Sequence, residues 1–251
     1  GWVPFDEGTI AQAAERVLNG DLPHRDFSDP YSGGLPYWHA LAMRAFGASL
    51  MAPRYALFIV FLLWLPALWW LAVRACGPRW GAVITVLAAW WSLPVYPAAM
   101  PTWYLLFLGT WIVAALERWH ASKRVQWLVL IGLLCGAAIA IKQTGLYLVA
   151  GALLGILFCE QDETRRRREK AALPGSTDAV VIVLLAVMAA LVVRLLSIGI
   201  GSGELLHLIF PIGGVLLVAA IREWHLTDDR VRRWRALLGA AAIVAAAAAV
   251  P

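Results

Sequence analysis

Residues 1–47 read GWVPFDEGTIAQAAERVLNGDLPHRDFSDPYSGGLPYWHALAMRAFG, the only long stretch of the chain that is both polar and rich in motifs. Asp6 and Glu7 stand side by side near its start. A charged cluster follows from Asp21 to Asp29, then an aromatic, proline-containing run from Pro30 to Trp38. Beyond Gly47 the chain reads as apolar segments joined by short loops, and that contrast decides the fold class. Of the 251 residues, 61% are hydrophobic and 15% charged, against roughly 45–50% and 25% in soluble domains. Mean hydropathy is +0.72. The expectation is an all-α, polytopic transmembrane helical bundle. Its first loop, 1–54, faces water and carries short amphipathic helices; its membrane domain covers 55–251.

Within the loop, Ile10, Ala13, Ala14, Val17 and Leu18 fall on one face of a helix. Asp6 is placed to cap that helix and Gly20 to stop it. Gln12, Glu15, Arg16 and Asn19 occupy the opposite face, so the helix is expected to lie flat on the bilayer with its apolar side down. A second short helix is expected from Pro36, with Trp38, Leu41, Ala42, Ala45 and Phe46 on one face and Gly47 at its end.

A spanning helix needs about 20 mostly apolar residues. Segments of that kind lie at 55–73, 80–96, 102–117, 126–141, 144–159, 178–196, 205–221 and 236–250. Lys142-Gln143 divides 126–159 into a helical hairpin, because a charge at the bilayer centre is expensive. Fifteen of the 21 Lys and Arg residues fall in alternate loops on the side away from the first loop. The positive-inside rule therefore puts Asp6 and Glu7 outside. The run Arg165–Lys170 then reads as an anchor near anionic lipid, and no nucleic-acid partner is implied. Of the 14 Trp residues, Trp69, Trp70, Trp80, Trp119 and Trp127 fall near span ends, as an interfacial belt predicts. Cys76, Cys135 and Cys159 have no metal-ligand spacing and form no disulfide framework. The chain starts without Met and ends at Pro251, just after an apolar run, so it is expected to be a fragment lacking a first span and a C-terminal part.

Several motifs follow in order: Phe5-Asp6-Glu7, the Ala-rich helix, Asn19-Gly20-Asp21-Leu22-Pro23, Arg25-Asp26-Phe27, Pro30-Tyr31, and a Pro-aromatic helix ending in Phe46-Gly47. Together they resemble the first outer loop of GT-C membrane glycosyltransferases. The group in view is the bacterial relatives of dolichyl-phosphate-mannose–protein mannosyltransferases (glycosyltransferase family 39) and of lipid A aminoarabinose transferases. Gly136 through Ala140-Ile141-Lys142-Gln143-Thr144-Gly145 resembles that family's Gly-rich span ending in Lys-x-Thr. The resemblance covers residues 1–160.

It implies an enzyme of the bacterial inner membrane, with its first loop periplasmic. A sugar would pass from a polyprenyl-phosphate-linked donor to a lipid, glycan or protein acceptor. An acceptor hydroxyl must lose its proton as it attacks the anomeric carbon, and Asp6 is the candidate base, with Glu7 beside it. The lipid phosphate is already a good leaving group, so a cation rather than a general acid is needed. Lys142 is the candidate for holding that phosphate, with Arg25 as a second. In-line displacement by a single base would invert the anomeric centre. His24, Asp26, Tyr31, Tyr37, Trp103, Arg194 and His207 are candidates for the substrate cavity. The resemblance leaves a divalent metal site possible, as in the wider GT-C class. No cofactor is expected here, because 95–101 has no acid and Glu204 is the only acid in the later outer loop.

Simpler roles exist for the same residues. Asp6 can cap a helix and Glu7 can complement its dipole; Lys142 can snorkel from a hairpin turn. A transporter or flippase for a lipid-linked saccharide would also want a charged outer cavity, but it would usually show internal repeats. A structural membrane protein would not require Asp6, Glu7 and Lys142 to converge.

Overall fold

The computed structural model describes residues 4–168, 210–224 and 230–249, and every regular element among them is a helix. Residues 1–153 and 241–251 form one compact unit, and 154–240 a second. Two stretches, Met51–Trp91 and Gln143–Arg165, are long and apolar enough to cross a membrane; Val125–Ile141 and Gly213–Arg222 are apolar but shorter. The span expected at 178–196 lies outside the described residues.

Helix α1 covers Pro4–Leu18. Asp6 therefore lies inside the first turn and does not cap the helix, as the sequence suggested. Asn19-Gly20 ends it, with Gly20 at φ 101°. The apolar face does not lie open to a bilayer. Ala11 and Ala14 pack with Ala42 and Met43 of α2 (Gly34–Phe46) and with Ala52 and Ala56 of α3 (Met51–Trp91). Alanines let these helices approach closely, so protein rather than lipid covers the face.

Helix α2 starts two residues earlier than Pro36 suggests, behind Gly33 at φ 87°. It buries Leu35, His39, Ala42 and Met43 and leaves Tyr37, Trp38, Leu41 and Phe46 exposed. Its outward apolar side is thus the expected one, less Ala42, which turns inward.

The printed length of α3 hides a break at Gly77 (φ 79°, ψ 169°), followed by Pro78. Gly81 comes so close to Val73 that a Cβ there would meet its backbone. The chain folds back, and Ala88 and Ala89 pack on the same core as Leu57, Phe61 and Trp64. These are the two segments expected at 55–73 and 80–96, the second ending at Trp91.

Helix α4 (Pro101–Ser122) adds Tyr104 and Phe107 to that core. The Trp64 and Phe107 rings lie 4.9 Å apart, and the Trp64 indole N–H donates to Thr110 Oγ1 at 2.9 Å. Helix α5 (Val125–Ile141) packs on α4. Its Gly132 is pressed against Val244 and Ala247, leaving no room for a Cβ. Lys142 is extended (φ −157°, ψ 140°). A 3-10 turn over Gln143–Gly145 then leads into α6 (Leu146–Arg168). A break falls at Lys142-Gln143, where the sequence placed one, with Gly145 close against the Ala138 carbonyl.

Helices α7 (Phe210–Trp224) and α8 (Arg230–Ala248) complete the described chain. Within the second unit, the buried Gln161 donates through Nε2 to the Ala219 carbonyl at 3.2 Å. The Arg222 guanidinium lies 5.1 Å over the Phe158 ring.

Candidate functional site

The loop from 19 to 33 is folded back onto α1 by Arg16. Its Nε reaches Asp21 at 2.7 Å and a terminal N–H donates to the Asp26 carbonyl at 2.9 Å, while the guanidinium lies 4.7 Å over the Phe27 ring. Asp26 accepts from the Leu22 backbone N–H at 2.8 Å and from Arg25 at 2.8 and 3.0 Å. The Arg25 guanidinium, which donates to it, holds the Asp26 carboxyl below the usual carboxylate range. His24 sits at φ 65° at the tip of this turn. Further on, Asp29 Oδ1 accepts the Tyr31 backbone N–H at 2.8 Å. Such an Asx turn fixes the chain two residues ahead and so aims Tyr31.

Between α1, the 27–31 segment and the start of α2 lies a cavity of about 330 Å³. Asp6, Arg16 and Asp29 supply its charged groups and Thr9, Gln12, Ser28 and Tyr31 its neutral polar ones; Ile10, Phe27, Leu35 and Pro36 supply much of its apolar wall. Ile10, Leu35 and Tyr31 belong to or pack on the core, so the wall is firmly backed. The Tyr31 hydroxyl titrates above its ordinary value, first because it is partly buried and then because the Asp6 and Asp29 charges face it. Both acids therefore address one phenol.

The Lys142 ammonium lies over the same ring, 5.6 Å from its centroid, although Lys142 does not itself line the cavity. The packing of α2 on α5 makes that approach possible. Gly34 lies so close to the Ala140 carbonyl that even a methyl group at 34 would collide with it. Ile141, next to Lys142, packs on the core that carries Tyr31.

The structure thus brings Asp6, Tyr31 and Lys142 together. Asp6 is exposed and, among the described residues, has no hydrogen-bond or ion-pair partner. Glu7 is a correction. It is only 5% exposed, and both its oxygens are taken by Arg54, at 2.8 and 2.5 Å. It joins α1 to α3 and does not line the cavity. Arg25, His24 and Asp26 form the exposed turn and do not line the cavity. Tyr37 is exposed on α2. Trp103 donates its indole N–H to the Tyr96 carbonyl at 3.1 Å and stacks on Phe107 instead of lining the cavity. Arg194, Glu204 and His207 lie outside the described residues.

Two charged cavity residues escaped the sequence reading. Arg16 was placed only on a polar helix face, and Asp29 only in a solvated cluster. Asp-Pro-Tyr was the available signal for Asp29, because an aspartate two residues before the position to be fixed is an Asx-turn pattern. Among the described residues, no group of three or more His, Cys, Asp or Glu is placed to hold a metal. Compared with protein-family models, curated proteins and solved structures, the chain matches none of them.

Proposed function

We propose that this chain is a polytopic membrane glycosyltransferase that moves a sugar from a polyprenyl-phosphate carrier to an acceptor hydroxyl. One observation carries the reading: an unencumbered carboxylate, Asp6, lines the cavity with Tyr31, and an ammonium, Lys142, lies over the same Tyr31 ring. As the acceptor oxygen bonds to the anomeric carbon, its proton passes to Asp6. The bond from that carbon to the phosphate oxygen breaks, and the phosphate leaves with the electron pair. Lys142 balances the charge that gathers on the leaving phosphate.

The test is turnover of the full chain in lipid nanodiscs, supplied with a panel of polyprenyl-phosphate sugars and read by release of polyprenyl phosphate. General-base catalysis contributes roughly 10²–10⁴-fold, so Asp6→Asn is expected to lower turnover by at least about 10²-fold. Full activity in a folded Asp6→Asn protein removes the base assignment. Movement of the sugar lipid across the bilayer without cleavage would instead identify a flippase.

A further inference from the structure

We propose that Arg74, Trp70 and Arg118 form a binding site for the headgroup phosphate of an anionic phospholipid, in the leaflet facing away from the first loop. The site depends on α3 crossing the membrane and not on the transferase chemistry.

Arg54 and Arg74 bracket residues 55–73 of α3, which carry no charge. At the rise of an α-helix, Arg54 and Arg74 stand about 30 Å apart, the thickness of a bilayer's hydrocarbon core. Arg54 is held by Glu7 on the side of the first loop; Arg74 marks the far end. Leu62, Leu63 and Trp69 on α3 and Val113 on α4 are exposed apolar side chains that lead towards that end. The cluster therefore continues a surface suited to acyl chains, at headgroup depth.

Two helices serve one ring there. Arg74, a turn beyond Trp70, places its guanidinium 5.1 Å from the ring centroid, and Arg118 of α4 places its own at 4.8 Å. Lying over a ring uses none of a guanidinium's five N–H donors. Arg74 is paired with Glu117 at 3.2 Å. The Arg118 side chain is exposed and, among the described residues, has no hydrogen-bond or ion-pair partner. Trp70 thus restrains a guanidinium whose donors remain available. Glu117 is the sole carboxylate between residues 30 and 159, whereas Arg74, Arg79, Arg118, Lys123 and Arg124 all fall around these helix ends. That excess favours an anionic headgroup over a zwitterionic one, and the guanidinium fork suits a phosphate. The helix dipole accounts for cations at C-terminal ends, but not for one indole shared by arginines of two helices. A soluble polyanion would leave the apolar approach uncovered; a phospholipid covers both parts.

The full chain is placed in nanodiscs of phosphatidylglycerol and phosphatidylcholine in equal parts, and the lipids that stay bound on release are counted by native mass spectrometry. Phosphatidylglycerol should be enriched. A basic side chain near the surface favours anionic lipid by about 1 kcal/mol, or about fivefold, so Arg118→Gln should cut the enrichment about fivefold. Trp70→Leu keeps both charges but removes the ring, and should also lower it; Trp70→Phe should restore part. Glu117→Gln removes the competing carboxylate and should raise the enrichment, a gain that no misfolded protein gives. Arg44→Gln makes the same charge change as Arg118→Gln, at an exposed position on α2 near the start of α3, and should leave it unchanged. The inference is overturned if phosphatidylglycerol is not enriched, if Arg44→Gln lowers the enrichment as much as Arg118→Gln, or if Glu117→Gln has no effect. Displacement of the bound lipid by soluble glycerol phosphate would also overturn it, by identifying a site for a free anion. Turnover does not enter these measurements, so the transferase reading stands or falls separately.

Discussion

Replacing Arg54 by Ala should destabilise the helical core more than any ordinary surface change. Glu7 is 5% exposed and depends on Arg54 for two hydrogen bonds, at 2.8 and 2.5 Å. Removing one partner of a buried pair leaves an uncompensated charge and costs about 3–5 kcal/mol. The Arg54 side chain is 22% exposed, so water can reach the vacated space, and the lower end, about 3 kcal/mol, is expected. For a chain of this size each kcal/mol moves Tm by roughly 2–4 °C, giving a fall of about 6–12 °C. Intrinsic tryptophan fluorescence during heating of the detergent-solubilised protein measures it. Glu7→Gln/Arg54→Met should recover much of the loss, because neither charge is then left alone. A fall below about 2 °C, or additive effects of the two single changes, refutes the clamp.

Two further outcomes follow from the packing. His39 is fully buried, its Nε2 2.9 Å from the Tyr104 hydroxyl, and burial pushes its pKa down to about 3. Its neutral form is favoured by the fold, so its contribution is complete above the ordinary value of 6.5. Below that, the unfolded chain takes up a proton that the fold refuses. Stability should fall by about 1.4 kcal/mol per pH unit, or about 2 kcal/mol by pH 5. Thermal unfolding at pH 7.5 and 5 should show this slope, and His39→Gln should flatten it; an unchanged slope assigns the effect elsewhere. Gly34→Ala should lower stability by about 1–3 kcal/mol through overpacking against Ala140. Gly8→Ala, on α1 with open space around it, should raise stability by about 0.5–1 kcal/mol. Equal Tm shifts for the two would show that the α2–α5 contact does not constrain the fold.

Helix existence was legible wherever a charge or a glycine-proline pair interrupted an apolar run. Lys123-Arg124 and Lys142-Gln143 mark both ends of α5; Gly77-Pro78 marks the break in α3. The face of α1 was less legible, because periodicity counts apolar residues. Glu7 stands one helical turn before Ile10 on the buried side, and its partner Arg54 is 47 residues away. No local pattern reports such a pair. Asp6 and Lys142 were legible as an acid and a cation worth joining. What joins them was not: the close contact of Gly34 with Ala140 is written only as a glycine. Asp29 looked like one more loop acid until the fold buried it.

The seating of Gly34 on Ala140 makes the first loop and the fifth helix a single inheritance. The acids come from residues 6 and 29 and the ammonium from residue 142. Grafting residues 1–54 onto another membrane scaffold would carry over the carboxylates and the phenol but leave the ammonium over the Tyr31 ring behind. Recombination that exchanged α5 alone would separate the cation from the acids in the same way. The two segments are therefore expected to travel together, and a protein engineer who wants this cavity with its neighbouring cation must move both.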